Sequence, residues 1–315
     1  MRAVLTVGDG VPVVADRPDP APGTGEVLVR VHAAGINNAD LLQARGGYPA
    51  PPGSPPDILG LELAGEVVAT GPGARRFAVG DRVMAVVGGG GQAELAVVHE
   101  RAAMPVPDAL GWAEAGGFPE AFTTAHDALF SQAGLGPGER VCVHGAAGGV
   151  GTAGVQLAAA AGARVVATVR HEALRAGVAA LAAGVAAVEP DGFGRHGPFD
   201  VILELVGGPN LAPDLAALAT GGRITVIGAG GGSTAELDLL ALMGVRGAIY
   251  GSTLRPRPPE QKAAAARAVE AHVLPLVAAG AVRVPIAAAY PLGEAAAAYA
   301  RFAAGAKLGK IVLVV

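Results

Sequence analysis

Val141-Cys142-Val143-His144-Gly145-Ala146-Ala147-Gly148-Gly149-Val150-Gly151 decides how this chain is read. Its apolar start reads as a buried strand, and Thr152–Ala161 beyond the glycines reads as a helix. Strand, Gly-rich turn and helix together build a dinucleotide-phosphate site. The glycines let the backbone approach a pyrophosphate, and the helix N-terminus offers free N–H groups and partial positive charge. Ala146, Ala147, Gly148, Gly149, Val150 and Gly151 are therefore assigned to cofactor binding. The turn departs from G-x-G-x-x-G, because Ala146 stands at the first glycine and Gly148 and Gly151 fill the others. An ordinary βα turn is the alternative reading. Context argues against it, since a second strand, Arg164–Thr168, follows about 20 residues on.

That second strand runs into Val169-Arg170-His171. An NAD site places Asp or Glu here, to accept hydrogen bonds from the adenosine ribose. This chain has no acid until Glu172. Arg170 and Arg175, with His171, can instead meet a 2′-phosphate, so NADPH is the expected cofactor. A solvated helix start is the alternative.

Working outward, strands alternate with Ala-rich helices through the middle of the chain. After a helix at Pro119–Ser131 come Val141–His144, Arg164–Thr168, Asp200–Val206 and Arg223–Ile227, the pattern of a parallel sheet covered by helices. The first third is β-rich. Val11–Val14, Glu26–His32, Leu63–Thr70, Arg82–Val87 and Ala93–Val98 are separated by Gly and Pro clusters, as in an irregular barrel. The tail reads as a helix, Pro291–Gly305, then a strand, Lys310–Val315. With Ile286–Tyr290 this strand needs a sheet to join, and the β-rich part supplies one. Val245–Tyr250 reads as the last strand of the nucleotide sheet, an exposed edge for homodimer pairing.

Bulk properties bound the function. The 315 residues carry a net charge of −4, with 51% hydrophobic and 16% charged residues. That is a soluble globular balance, and its mild acidity argues against a nucleic-acid partner. No apolar run reaches the roughly 18 residues of a membrane span. Met1-Arg2-Ala3-Val4 begins a strand directly, without a signal-peptide pattern, so a cytoplasmic location is expected. Cys142 is the one cysteine, which excludes an intramolecular disulfide and a multi-cysteine metal site. Inside an apolar strand it reads as a small core residue.

Further motifs carry a family resemblance: Ala34–Leu41 (AGINNADL), Gly60–Gly65 (GLELAG), Gly80–Val83 (GDRV), Ala146–Gly151 and Gly309–Leu313 (GKIVL). With these the chain resembles the zinc-independent quinone oxidoreductases of the medium-chain dehydrogenase/reductase superfamily, nearly end to end. Tyr48–Gly53, Gly89–Ala93 and Pro119–Ala125 are closest to the stress-inducible, tumour-suppressor-induced branch. The resemblance implies an α/β protein with two domains. A GroES-like β-rich barrel, 1–119 completed by 260–315, joins a Rossmann doubly wound parallel-sheet domain, 120–259.

It also implies a site. Thr124 would bond the nicotinamide carboxamide, and Asn37 and Tyr48 would border the substrate. Gly228 and Ser252 join the cofactor-binding set, Ser252 within Tyr250–Arg255, which resembles the segment closing over nicotinamide. Reducing a quinone or enone needs hydride close to the acceptor atom and a donor for the developing oxyanion, which an amide or a phenol supplies without metal. Turn stabilisation is the bland reading of Asn37, and loop anchoring that of Tyr48. Zinc-dependent cousins have Cys and His where Asn37 and Leu61 stand, so no metal is expected. NADPH-binding relatives often carry a Lys after the second strand and a Tyr after the third. This chain has Ala173 or Leu174 and Pro190, with Arg170 and Arg175 as substitutes. The leading expectation is NADPH-dependent reduction of a quinone. Reduction of the C=C bond of an enone or alkenal stays open beside it, as does a redox-sensing or structural NADPH-binding role.

Overall fold

The computed structural model describes residues 1–6 and 10–315, and the chain divides into two units. The first comprises Met1–Thr123, Leu254–Gly305 and Lys310–Val315, and the second Thr124–Thr253 with Ala306–Gly309.

The first unit is organised around the strand Glu26–Gly35. Val27, Val29 and Val31 point inward and the residues between them are less buried, the period-2 pattern of a sheet with one packed face. This strand pairs antiparallel with Glu62–Thr70, with Leu95–His99 and, at its Gly35 end, with the C-terminal strand Lys310–Val314. Arg82–Val86, Ala103–Pro105 and Ile286–Pro291 complete the seven-stranded sheet. One apolar core lies among Val27, Val29, Leu63, Val67 and Val83. A second forms where the helix Ala295–Ala303 lays Ala298 and Tyr299 against Ile36, Leu59, Ile311 and Leu313. Arg2–Leu5 and Val13–Asp16 form a separate antiparallel pair.

In the second unit six strands are all parallel. Across the sheet they run Ala186–Val188, Arg164–Thr168, Arg140–Val143, Phe199–Glu204, Leu218–Val226 and Ala248–Gly251. Numbered within the unit this is the order 3-2-1-4-5-6, the doubly wound order whose switch point lies beside its first strand. Cys142, Val166, Phe199, Ile202 and Ile224 fill its core, and Cys142 is a buried free thiol.

Several boundaries differ from the sequence reading. The Pro119–Ser131 helix is α-helical over Pro119–His126 and then widens to a π-helix over Asp127–Gln132. Val245 ends the helix Leu239–Val245 and does not begin a strand. Arg246 caps that helix in the left-handed conformation, and the edge strand is Ala248–Gly251. Pro291 ends a strand, and the tail helix starts at Ala295. The strand Ala103–Pro105 and the helix Trp112–Gly117 are additional. Both are too short for periodicity to reveal. No helix among the described residues is long and apolar enough to cross a membrane.

Candidate functional site

In the second unit the nucleotide candidates gather at one end of the sheet. Ala146–Gly151 follow Arg140–Val143, while Arg170, His171 and Arg175 follow Arg164–Thr168. Gly228 follows Leu218–Val226. Gly145 has φ +60°, and Gly148 caps the helix Gly149–Ala160 with no side chain to occupy its first N–H groups. A Cβ on Gly151 would lie 2.5 Å from Gly145 O and 2.6 Å from Ala146 Cα. Helix and turn are thus in backbone contact, which only glycine permits. A Cβ on Gly228 would meet Leu205 O at 2.4 Å. This open, side-chain-free turn fits a dinucleotide pyrophosphate. The segment Ala306–Gly309 braces it, Gly309 N donating to Ala147 O at 2.8 Å.

Arg170 and His171 are exposed. Arg175 Nε donates to Val169 O at 3.2 Å, which holds this guanidinium against the strand end. Ser252 Oγ donates to Asp127 Oδ2 at 3.0 Å. Thr124 is buried on Pro119–His126.

Beneath the turn lies a buried polar cluster that sequence reading missed. His144 Nδ1 is 2.9 Å from Thr168 Oγ1 and its Nε2 is 2.8 Å from Asp214 Oδ1. Phe193 meets the imidazole edge-on at 4.6 Å. Glu204 accepts from Val206 N, from Gly207 N at 2.7 Å and from Asn210 Nδ2 at 2.9 Å. Burial pushes Asp214 up to about 6, against the pull of His144. His144, Glu204 and Asp214 bring ligand-type atoms within 4.8 Å of one another, and Asp214 Oδ2 is buried without a hydrogen-bond partner among the described residues.

In the first unit Asn37 opens the helix Asn38–Ala44, and Asp40 reaches back to accept from Asn37 N at 2.8 Å. This is the reciprocal half of a capping box. The Asn37 amide is also engaged: Nδ2 donates to Glu62 Oε1 at 2.9 Å and Oδ1 accepts from Lys310 Nζ at 2.5 Å. Lys310 further donates to Glu62 Oε1 at 2.6 Å and to Ile36 O at 3.1 Å. Glu62 Oε2 accepts from Glu120 N at 2.8 Å. Both charged partners are buried, with 3% and 0% of their side chains exposed. Asp40 also accepts from Gly60 N, and burial raises its carboxyl to about 7 against these donors.

Leu61 is buried and its alkyl side chain offers no metal ligand, and the Asn37 oxygen accepts from the Lys310 ammonium.

Tyr48 lies in the loop after this helix, half-buried. Arg255 Nη1 donates to its carbonyl at 2.8 Å, and the guanidinium lies 5.0 Å from its ring centroid. Burial first, then Glu120, pushes the phenol up, and Arg255 opposes both. Tyr48 is therefore neutral and able to donate near pH 7.

The parallel sheet with its glycine turn and the GroES-like sheet define an oxidoreductase of the medium-chain dehydrogenase/reductase type. Residues 23–108 match the alcohol dehydrogenase GroES-like domain and residues 182–313 match the zinc-binding dehydrogenase family. Quinone oxidoreductase of Rattus norvegicus is 33% identical over 331 residues, covering 99% of this chain and 97% of that protein. The chain belongs to this family. A quinone oxidoreductase structure from Pseudomonas syringae superposes with a TM-score of 0.87 at 27% identity, covering 100% of this chain and 99% of that one. Erythronolide synthase EryA2 of Saccharopolyspora erythraea is 36% identical over 326 residues, which are 98% of this chain but 9% of the synthase.

Proposed function

We propose that the protein reduces quinones with NADPH and without zinc. The observation that best supports this is Asn37, whose amide is locked between Glu62 and Lys310 where a zinc enzyme needs a metal ligand. A bound nicotinamide supplies the hydride. The N-terminus of Gly149–Ala160 holds the pyrophosphate, and Arg170 bonds the 2′-phosphate, with His171 and Arg175 beside it. Thr124 orients the carboxamide. The Tyr48 phenol, backed by the second amide hydrogen of Asn37, donates to the acceptor oxygen as negative charge develops there. Gly228 and Ser252 border the cofactor.

The likeness to a polyketide synthase favours a second reading, reduction of the C=C bond of an enone or alkenal. Both reactions deliver hydride to an electron-poor conjugated acceptor. Turnover of a quinone panel and an enone panel, with NADPH and with NADH, before and after chelation, tests both. Faster quinone turnover that survives chelation is expected. Activity lost on chelation, with one tight zinc per chain, overturns the metal-free reading. NADPH binding without turnover of either panel would leave a sensor or structural role.

A homodimer through Ala248–Gly251 is part of the proposal. This is an edge strand, its own Tyr250 is exposed, and Leu239, Leu240 and Met243 are 63%, 78% and 68% exposed on the preceding helix. Light scattering at micromolar concentration checks it, and a monomer there contradicts it.

A further inference from the structure

Arg255 is a buried guanidinium, 3% exposed, that ties together three separate stretches of the first unit. Nε donates to Gly88 O at 2.7 Å, Nη1 to Tyr48 O at 2.8 Å and Nη2 to Gln43 Oε1 at 2.5 Å. Gln43 in turn donates to Pro56 O at 3.4 Å, so both ends of the loop between residues 45 and 56 are tethered through one side chain. That loop seats on the run Gly88–Gly91 of the same unit: a Cβ on Gly88 would strike Ser54 Oγ at 2.1 Å, and one on Gly90 would lie 3.0 Å from Pro55 Cγ.

The charge of Arg255 is the unusual part. All three of its acceptors are neutral. Asp40 and Glu120 act on it only through space. A buried cation without an ion-pair partner costs free energy, and Gly88 and Tyr48 carbonyls could be satisfied by a neutral donor more cheaply. Its face lies instead 5.0 Å from the centroid of the Tyr48 ring, within cation–π range.

We propose that Arg255 is the positioning residue for Tyr48: it pins the loop carrying the phenol and holds an unneutralised positive charge against the ring. Negative charge arriving on an acceptor oxygen, passed partly to the phenol through their hydrogen bond, is thereby favoured. This rests on the reading that Tyr48 bonds the acceptor.

Two measurements test it. The first uses the protein without cofactor. Arg45 begins the tethered loop and is exposed, so trypsin cleavage after Arg45, followed by mass spectrometry, reports the tether. Arg255→Met is expected to speed it at least fivefold, and Arg255→Lys, which keeps the charge but not the fork, by less. Unchanged cleavage in both variants overturns the tether. The second is a kinetic cycle. Arg255→Lys and Arg255→Met are expected to lower kcat by about 3- to 30-fold, Met more than Lys, by the range of such cation–ring contacts. The KM for NADPH should hold, and neither substitution should lower kcat further in a Tyr48→Phe background. An equal loss in that background shows that Arg255 does not act through the phenol and overturns the proposal. If wild-type protein turns over neither quinones nor enones, the proposed function fails, while the cleavage rates still decide whether Arg255 holds the loop.

Discussion

Replacing Lys310 by Met removes the cation from a buried pair and leaves Glu62 facing a methyl group. Glu62 keeps Asn37 Nδ2 at 2.9 Å and Glu120 N at 2.8 Å, so it stays hydrogen-bonded but loses its counter-charge. Removing one partner of such a pair costs about 3–5 kcal/mol, because the remaining charge stays buried. The unit has roughly 180 residues, and a domain of that size loses about 2–4 °C of Tm per kcal/mol. The expected fall is therefore about 6–20 °C. Trp112, the one tryptophan, lies in this unit, and its fluorescence during thermal unfolding reports the right event. Glu62→Gln with Lys310→Met removes both charges and should regain more than half of the loss. A Lys310→Met variant within about 3 °C of wild type, or a double variant as unstable as the sum of the singles, would refute the view that this charge pair is mutually dependent.

Gly151→Ala drives a methyl into the Gly145 and Ala146 backbone, so a loss of about 1–3 kcal/mol is expected in denaturant unfolding. Gly148→Ala, whose nearest atom is 3.5 Å away, should leave stability alone yet weaken NADPH in a fluorescence titration. Arg170→Ala is expected to weaken NADPH about 10- to 150-fold with little change for NADH, since a charge-assisted bond contributes roughly 1.5–3 kcal/mol. The double variant with Arg175→Ala removes any substitute, and an undiminished NADPH preference there would mean the 2′-phosphate is not read at this strand end. Burial raises Asp40 to about 7, whereas an unfolded aspartate titrates near about 3.9. The folded protein thus binds the extra proton between these values, and this group's contribution to stability falls as pH rises through that window, then levels off. Comparing unfolding of wild type and Asp40→Asn at pH 5 and pH 8 isolates it: wild type should lose stability relative to the variant at the higher pH, and an unchanged difference contradicts the assignment.

The fold was legible where local pattern and tertiary packing agree. Val141–Gly151 joins a strand period, a glycine turn and a helix start within one short stretch, and all three are present in the structure. Val245 shows the opposite case. An apolar residue before an apolar strand carries no mark of the left-handed cap that Arg246 provides. Asn37 and Tyr48 could be named from their motifs, but their partners could not. Lys310 reaches Asn37 and Glu62 across almost the whole chain, and Arg255 reaches Tyr48 across two hundred residues. No periodicity encodes such pairings. The signal available was compositional: Lys310 is one of three lysines in the chain, placed in an apolar strand where a cation needs a reason. His144 offered a similar hint at the end of its strand, but Asp214 lies seventy residues on.

The strand Glu26–Gly35 can pair with Lys310–Val314 only once translation has passed Lys310. Until then its Gly35 end has no neighbour on that side, and Ile36, Leu59 and Leu292 lack Ile311 and Leu313 as packing partners. The second unit, by contrast, draws all six of its strands from the uninterrupted stretch Thr124–Thr253 and can collapse as soon as that stretch emerges. Once it has done so, the residues separating Gly35 from Val312 no longer behave as a free coil, and the entropy opposing their union shrinks accordingly. Maturation of the first sheet is thus scheduled behind that of its neighbour in the chain. A nascent polypeptide halted before Lys310 should expose this unfinished seam to chaperones and proteases.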